Sequence, residues 1–189
     1  MSESPARRVA TREKKRRLFF ALWPGEAQRA AIEEAMRRRV ETSRGRAVPP
    51  ENLHVTLVFI GGVAESRFEH VIDCATRVRG TRFELILDQL EVWGRARVLC
   101  LTASRMPSAL LRLEEQLRFN LLNDEFDVRQ EEYRPHVTLA RDVRRRNARE
   151  SIAPIAWPAE EFVLVESHPT PSGSEYRLVE RWKLQGSGS

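Results

Sequence analysis

The amino-acid sequence, 189 residues long, has few of the features that mark membrane-bound or disulfide-rich proteins. No apolar run approaches the roughly 20 residues that a membrane helix requires. The apolar stretch at residues 18–23 is too short for a secretory signal and ends at Pro24. Cys74 and Cys100 have neither metal-site nor redox-motif spacing, so we expect two free thiols. These absences favour a cytoplasmic protein that does not enter a membrane.

Outside its first residues, the chain has no excess of charge of either sign. Residues 1–17 contain seven basic and two acidic side chains, which accounts for the whole formal charge of +5, and the remainder has 25 of each. We expect residues 1–16 to form a basic disordered tail, residues 17–184 a single bilobal domain and residues 185–189 a flexible end. The tail could alternatively attract RNA phosphates or serve as an organellar transit peptide.

Hydrophobic periodicity predicts an alternation of strands and amphipathic helices. No glycine-rich phosphate loop follows a strand, which argues against a parallel nucleotide-binding sheet. We therefore expect an α+β protein with a bilobal, duplicated fold, in which two antiparallel sheets flank a central cleft and helices cover their outer faces. The expected strands are residues 17–23, 53–60, 83–87, 97–101, 136–140, 162–166 and 176–184, and the expected helices are residues 26–40, 65–79, about 110–121 and 143–150, with a glycine pair at 61–62 ending the second strand.

The most informative feature is a four-residue motif, His-Val-Thr-Leu, which occurs at residues 54–57 and again at residues 136–139. Each copy lies in a predicted strand and follows a proline-bearing turn. Histidine and threonine are two positions apart, so both project from one face of their strand. Each copy alone is compatible with an ordinary strand, but one copy in each half indicates that the two strands meet at a shared site.

Two imidazoles and two hydroxyls suit acid–base chemistry at a phosphodiester. Histidine, with an ordinary pKa of about 6.5, can act either as proton donor or as proton acceptor near neutral pH. Thr56 and Thr138 would donate hydrogen bonds to the non-bridging phosphate oxygens. This scheme requires neither a metal nor a cofactor, and neither histidine has a third ligand at the spacing of a zinc site.

These motifs and their flanks resemble the two-histidine phosphoesterase superfamily, in particular its RNA 2′,3′-cyclic phosphodiesterase branch, also called 2′-5′ RNA ligase-like proteins. The flanking segments are residues 17–22, 49–57 with Gly61, 83–85, 134–141 and the strand pair around residues 172–173. The resemblance covers about residues 17–184 and implies a bilobal fold with the two histidines facing each other across a cleft. It also implies metal-independent opening of a terminal 2′,3′-cyclic phosphate to a 2′-phosphomonoester.

The resemblance assigns roles to five residues. His54 is expected to protonate the departing 3′ oxygen and His136 to activate water, while Thr56, Thr138 and Arg141 bind the phosphate. Simple alternation places Arg141 on the opposite face from His136, so it reaches the substrate only if the strand ends or bends. For single-stranded RNA, an aromatic ring should stack on the terminal base, with Phe20 as first candidate and Phe19 as second.

Three functions remain open at this point. The first is hydrolysis of RNA 2′,3′-cyclic phosphate ends by a monomer, with 2′-5′ ligation as the reverse reaction. The second is cleavage of 2′-5′-linked oligonucleotides or other small cyclic phosphates by the same residues. The third is RNA binding without catalysis, through the tail and the arginines Arg141, Arg144, Arg145, Arg146 and Arg149.

Overall fold

In the computed structural model, residues 13–129, 131–144, 146–171 and 173–186 are described, and they form nine strands and three α-helices. The expected basic tail therefore lies mostly outside the described residues, as does Arg145. No helix in the described ranges is long and apolar enough to cross a membrane. The elements are β1 (Lys15–Leu22), α1 (Glu26–Ser43), β2 (Arg46–Ala47), β3 (Val55–Ala64), α2 (Phe68–Thr76), β4 (Phe83–Trp93), β5 (Val98–Thr102), α3 (Ser108–Asn123), β6 (Val137–Arg141), β7 (Ala148–Ala159), β8 (Glu161–Thr170) and β9 (Gly173–Lys183).

The named strands pair only in antiparallel fashion, in the order β7-β4-β5-β6-β3-β1-β8-β9, with β2 paired to β6. Two lobes are evident: β3, β1, β8 and β9 form the first, and β6, β5, β4 and β7 with β2 form the second. The lobes join where β3 pairs with β6, through Val55 and Val137. The predicted α+β class is confirmed. The lobes are not the two halves of the sequence, however, because β8 and β9 return to pair beside β1.

Helices pack on one face of the sheet, and the cleft opens on the other. Helix α1 contacts β6 and β7, whereas α2 and α3 pack together and contact β9 and β3 respectively. The predicted apolar stripe of α3 is confirmed, since Leu110, Leu113, Leu117 and Leu121 are at most 1% exposed. On β1, Leu18, Phe20 and Leu22 belong to the main core, whereas Phe19 and Ala21 belong to a small cluster on the opposite face. That second cluster adjoins the cleft.

Both motif strands contain a β-bulge at the same place in the motif. Phe20 and Ala21 of β1 pair with Val58 and Thr56 of β3, which leaves Leu57 as an extra residue. On β6 the extra residue is Leu139, since Leu99 and Cys100 of β5 pair with Ala140 and Thr138. A bulge shifts the alternation of side chains by one position, so residues beyond it change face. The sequence did not reveal either bulge.

Two local predictions were wrong. Residues 143–150 are not helical: the described residues at 143–147 are irregular, and β7 begins at Ala148, where residues 148–150 pair with residues 90–92 of β4. Pairing with an available strand outweighed a helical pattern that rested on charged residues. Strand β3 also continues past the glycine pair to Ala64, because Gly61 adopts a φ of 85° that accommodates a second bulge without ending the strand.

The folded region extends beyond the predicted domain at both ends. Lys15 and Arg16 lie in β1, and the backbone N–H of Ser66 donates to the Glu13 carboxylate at 2.9 Å. The Arg16 guanidinium donates two hydrogen bonds to the Glu166 carboxylate, at 3.1 and 2.9 Å. At the other end, the backbone N–H of Gln185 donates to the Gly80 carbonyl at 2.8 Å. Residues 13–16 and 185 therefore belong to the folded body.

Gly45 lies where the chain turns from α1 into β2 and allows β2 to approach β6. A Cβ at this position would lie 2.6 Å from the carbonyl oxygen of Arg141 and 2.7 Å from Val143 Cγ2. We predict that Gly45→Ala lowers the thermal midpoint by about 2 to 12 °C, as expected for an overpacking cost of about 1–3 kcal/mol in a chain of this size. Gly186→Ala is the control, since no atom of the described residues lies within 4 Å of a Cβ there. Equal midpoints for the two variants would contradict the close approach.

Candidate active site

The two predicted motif strands lie side by side at the centre of the sheet. Val55 of β3 and Val137 of β6 form an antiparallel pair, and both are fully buried. Because successive side chains alternate between the faces of a strand, the residues that flank this pair project from the opposite face. The side chains that share this face are His54, Thr56, His136 and Thr138.

The antiparallel register determines which of these four side chains are neighbours. Continuing the register by one residue in each direction places His54 opposite Thr138, and Thr56 opposite His136. Cross-strand neighbours of this kind have Cβ atoms about 4.5–5.5 Å apart. Each imidazole therefore faces a hydroxyl across the strand pair, in an approximately two-fold arrangement around one small space.

This space opens into a cleft of about 890 Å³. His54, Thr56, Thr138 and Arg141 all line the cleft, whereas His136 is not among its lining residues and is placed next to it by the strand register. Four of the five predicted site residues thus border one volume, and the fifth adjoins it through the strand register. Other side chains that line the cleft are Arg17, Phe19, Arg46, Asn52, Phe59 and Tyr176.

Arg141 lines the cleft because of the bulge at Leu139. Without an extra residue, Arg141 would project from the face opposite to His136, as alternation predicts. The bulge brings the arginine back to the cleft face, where its side chain is exposed. The condition on which its predicted role depended, a bend in the strand, is therefore present.

The two imidazoles are oriented by equivalent hydrogen bonds. Nδ1 of His54 lies 2.7 Å from the carbonyl oxygen of Asn52, and Nδ1 of His136 lies 2.7 Å from that of Arg134. A carbonyl can only accept, so each ring carries its proton on Nδ1 when neutral. Nε2 of each ring is then left with a lone pair. Nε2 of His54 lies 3.1 Å from the hydroxyl oxygen of Thr56, within the site.

Three aromatic side chains surround the His54 ring. Trp23 stacks on it with an interplanar angle of 10° and a centroid distance of 5.4 Å. Phe19 lies 5.1 Å away in a tilted arrangement, and Tyr176 meets the ring edge-on at 5.3 Å. These contacts restrict rotation of the imidazole and shield it from water.

His136 contacts the aromatic ring of Trp93, and charged side chains hold this ring in place. Trp93 packs against the imidazole at 4.6 Å, and the indole Nε1–H donates to the Glu91 carboxylate at 2.6 Å. The Arg134 guanidinium lies 4.4 Å from the centroid of the Trp93 ring. Thr102 donates a further hydrogen bond to Glu91, at 2.9 Å. Through Trp93, this network fixes the position of the His136 ring.

Burial lowers the pKa of both imidazoles. It lowers the pKa of His54 from 6.5 to about 4, assisted by the positive charges of His136 and Arg141 and opposed by the hydrogen bond to Asn52. Burial also lowers the pKa of His136, with the charges of Arg141 and Arg134 acting in the same direction. The effect of His136 on His54 shows that the two rings share one electrostatic environment.

The sequence did not identify Trp23, Tyr176, Trp93 or Glu91 as parts of the site. They come from β4, from β9 and from the residue that follows β1, and none lies at a characteristic spacing from a motif. The candidate for base stacking, Phe20, was wrong: it is fully buried on the helix side, against Phe162 and Trp182. Its alternative neighbour in sequence, Phe19, does line the cleft, but it is only 3% exposed.

The fold and the site together define a class of protein, namely two-lobed proteins with a pair of histidines arranged for acid–base chemistry. Among the described residues, no group of three or more His, Cys, Asp or Glu side chains is arranged to hold a metal ion. Residues 24–169 match the family model described as the 2′-5′ RNA ligase superfamily. The chain belongs to that superfamily.

Individual relatives cover nearly the whole chain. The RNA 2′,3′-cyclic phosphodiesterase of Escherichia coli K12 is 30% identical over 172 residues, which is 89% of this chain and 96% of that protein. The protein of the same name from Thermus thermophilus is 32% identical over 192 residues, 90% of this chain and 91% of its own. The crystal structure of E. coli LigT complexed with 3′-AMP has a TM-score of 0.80 at 29% identity, covering 90% of this chain and 99% of that one.

The lowered pKa of His54 predicts how stability depends on pH. Between pH 6.5 and about 4, the unfolded chain binds a proton at this residue and the folded protein does not, so stability falls as the pH falls through this window. We predict that His54→Gln loses less stability than the wild type between pH 7 and pH 5, measured by urea denaturation. His70→Gln, which changes an exposed residue of α2, is the control. Identical losses in all three proteins would show that His54 is not held neutral by the fold.

Proposed function

We propose that this protein hydrolyses 2′,3′-cyclic phosphates at the ends of RNA to 2′-phosphomonoesters, with 2′-5′ ligation when a 5′-hydroxyl replaces water. The observation that carries the proposal is the antiparallel pairing of the two motif strands, which gathers two imidazoles and two hydroxyls on one face at the cleft. Relatives of nearly equal length are named for this activity, and one related structure contains 3′-AMP, a ribonucleotide with its phosphate on the ribose.

In the proposed reaction, His136 acts as the base and His54 as the acid. Nε2 of His136 removes a proton from water while the water oxygen bonds to phosphorus. The bond from phosphorus to the 3′ oxygen breaks, and Nε2 of His54 delivers a proton to that oxygen. The phosphate stays on the 2′ oxygen. When a 5′-hydroxyl group of another RNA end takes the place of water, the same steps produce a 2′-5′ bond.

These roles follow the family resemblance, and the lowered pKa values do not separate the two rings. The positive charges of Arg141 and Arg134 lower the pKa of His136, while the Glu91 carboxylate raises it. Arg141 lowers the pKa of His54 as well. His54 also lies against the face of Trp23, and an aromatic face attracts a cation. The anionic substrate adds a negative charge beside His54, which raises the pKa of an imidazole. The proposed acid therefore takes up its proton when the phosphate binds.

Thr56, Thr138 and Arg141 are proposed to bind the phosphate itself. The register brings both hydroxyls to the space between the imidazoles, where they can donate to the two non-bridging oxygens. The Arg141 guanidinium enters the cleft from the end of β6 and supplies the positive charge. A fixed set of donors stabilises the charge that builds on these oxygens during attack.

A cytoplasmic location is also proposed. Cys74 and Cys100 are both free and buried, and burial raises the pKa of each thiol to about 12. Thiols of this kind are typical of proteins in a reducing compartment.

Substitution of either histidine tests the assignment. We predict that His54→Ala and His136→Ala each lower the rate of hydrolysis of 2′,3′-cyclic AMP by about 10²- to 10⁴-fold, the usual contribution of one proton carrier. The measurement is turnover in the presence of a chelator, with the position of the phosphate in the product identified by chromatography. His70→Ala should retain full activity. Near wild-type turnover by either site variant, or a 3′-phosphate product, would contradict the proposed roles.

Removal of the basic residues before β1 separates catalysis from simple RNA binding. Residues 13–16 belong to the folded body, so the deletion must stop at residue 12. We predict that the shortened protein hydrolyses 2′,3′-cyclic AMP at the wild-type rate, because the site lies wholly within residues 17–176. A 2′-5′-linked dinucleotide measured in parallel tests the second candidate reaction. Absence of hydrolysis by the full-length protein, together with salt-sensitive RNA binding that disappears with the deletion, would favour a non-catalytic RNA-binding protein.

A further inference from the structure

We propose that Phe59 and Arg17 form a subsite for the nucleotide that precedes the cyclic-phosphate end, so that the protein prefers RNA ends to mononucleotides. The inference rests on the function proposed above and names its substrate more closely. The base of the preceding nucleotide stacks on the Phe59 ring, and its phosphate lies near the Arg17 guanidinium.

Phe59 occupies the position in the first lobe that Arg141 occupies in the second. Each residue lies five positions after the histidine of its motif, and each follows a bulge at the motif leucine. The two bulges bring both side chains back to the cleft face, and both line the cleft. One end of the approximately symmetric site therefore carries a charge, and the other carries an aromatic ring.

The Phe59 ring is unusually exposed for a phenylalanine in the middle of a strand. It is 37% exposed, although the residues on either side of it in β3 are at most 8% exposed. The core of the protein therefore does not require this ring. An accessible aromatic ring inside a cleft that accepts RNA is a stacking surface for a base, and such stacking tolerates any base.

Arg17 lies next to this ring and provides the charge. Its guanidinium carbon is 5.0 Å from the centroid of the Phe59 ring, and the residue is exposed. Within the described part of the chain, no carboxylate lies within 4.0 Å of the Arg17 guanidinium. Its charge is therefore available to a phosphate, and an arginine beside an aromatic ring is a common combination in single-strand RNA sites.

The order of residues along the cleft assigns the subsite to the preceding nucleotide. The Phe19 ring lies 5.1 Å from the His54 ring, and Phe59 is the cross-strand partner of Phe19, one step further from the histidine. Thr56 and Phe59 pair with Ala21 and Phe19, which are two residues apart in β1, so Phe59 lies about 7 Å along the sheet from Thr56 at the usual rise. With a volume of about 890 Å³, the cleft lies near the upper end of the range for ligand sites and has room for more than the terminal nucleoside.

The test compares a mononucleotide with an RNA end. Hydrolysis of 2′,3′-cyclic AMP and of a dinucleotide ending in a 2′,3′-cyclic phosphate is measured for the wild type, Phe59→Ala, Phe59→Tyr, Arg17→Gln and Phe119→Ala. The wild type should prefer the dinucleotide in kcat/KM. Phe59→Ala should reduce that preference by about 5- to 150-fold, mainly through KM, because stacking on a base is lost before and during the reaction. Phe59→Tyr keeps the ring and should keep the preference.

Phe119→Ala is the matched control, since Phe119 is a 61% exposed phenylalanine on α3 and does not line the cleft. It should leave both substrates unaffected. Arg17→Gln should lower the affinity for the dinucleotide. The slope of log affinity against log salt concentration should also become shallower, by the amount expected for the loss of about one phosphate contact. Thermal midpoints of all variants identify any that fail to fold, and Arg17→Gln, which should also weaken binding of the dinucleotide, keeps the subsite testable if Phe59→Ala does not fold.

The outcomes separate the subsite from the reaction. A wild type that hydrolyses neither substrate overturns the proposed function. A wild type that hydrolyses both equally well, or a Phe59→Ala variant that keeps the preference for the dinucleotide, overturns the subsite and leaves the function intact. An equal loss on both substrates would also overturn it, because the ring would then hold the terminal nucleoside.

Discussion

The antiparallel contact between Val55 and Val137 is the constraint on which the site depends. Among the described residues, it is the single partner pair that joins β3 to β6 and thus one lobe to the other. Both valine side chains are buried on the helix side, so the residues that flank them in each strand project toward the cleft. A shift of the register by one residue would turn the imidazoles into the core and the valines into the cleft. Burial of apolar surface at the centre of the sheet therefore fixes the geometry of the polar groups.

Two basic rings with lowered pKa values are kept side by side, and no carboxylate in the described ranges forms an ion pair with either ring. Main-chain carbonyls satisfy Nδ1 of both His54 and His136, so neither ring leaves a donor unpaired. The carboxylate in the His136 network, Glu91, acts through the Trp93 indole. In the part of the chain that the structure describes, three arginines, Arg17, Arg46 and Arg141, line the cleft with two carboxylates, Glu51 and Glu175, and this excess of positive charge favours binding of a phosphate.

The sequence predicted that the motif strands meet at a shared site because histidine, threonine and their spacing occur twice, but not that they pair with each other within one sheet. It predicted α1 and α3 because their apolar residues recur at helical spacing. It could not predict the bulges at Leu57 and Leu139, since a bulge depends on the partner strand and not on the leucine itself. For this reason alternation misplaced Arg141. The environments of the imidazoles were equally hidden, because Trp23 and Trp93 reach them from segments that are distant in sequence.

The interleaving of the two lobes determines the order in which the protein can be completed on the ribosome. The four main strands of the second lobe lie within residues 83–159. In the first lobe, residues 18–21 of β1 cannot pair with residues 163–166 of β8 until β8 has been synthesised. During translation the N-terminal strands therefore leave the exit tunnel early and remain without their full set of partners until residues 161–183 emerge. An apolar strand with an open edge is prone to misassembly. The N-terminal strands are thus most open to misassembly in the interval before β8 and β9 become available.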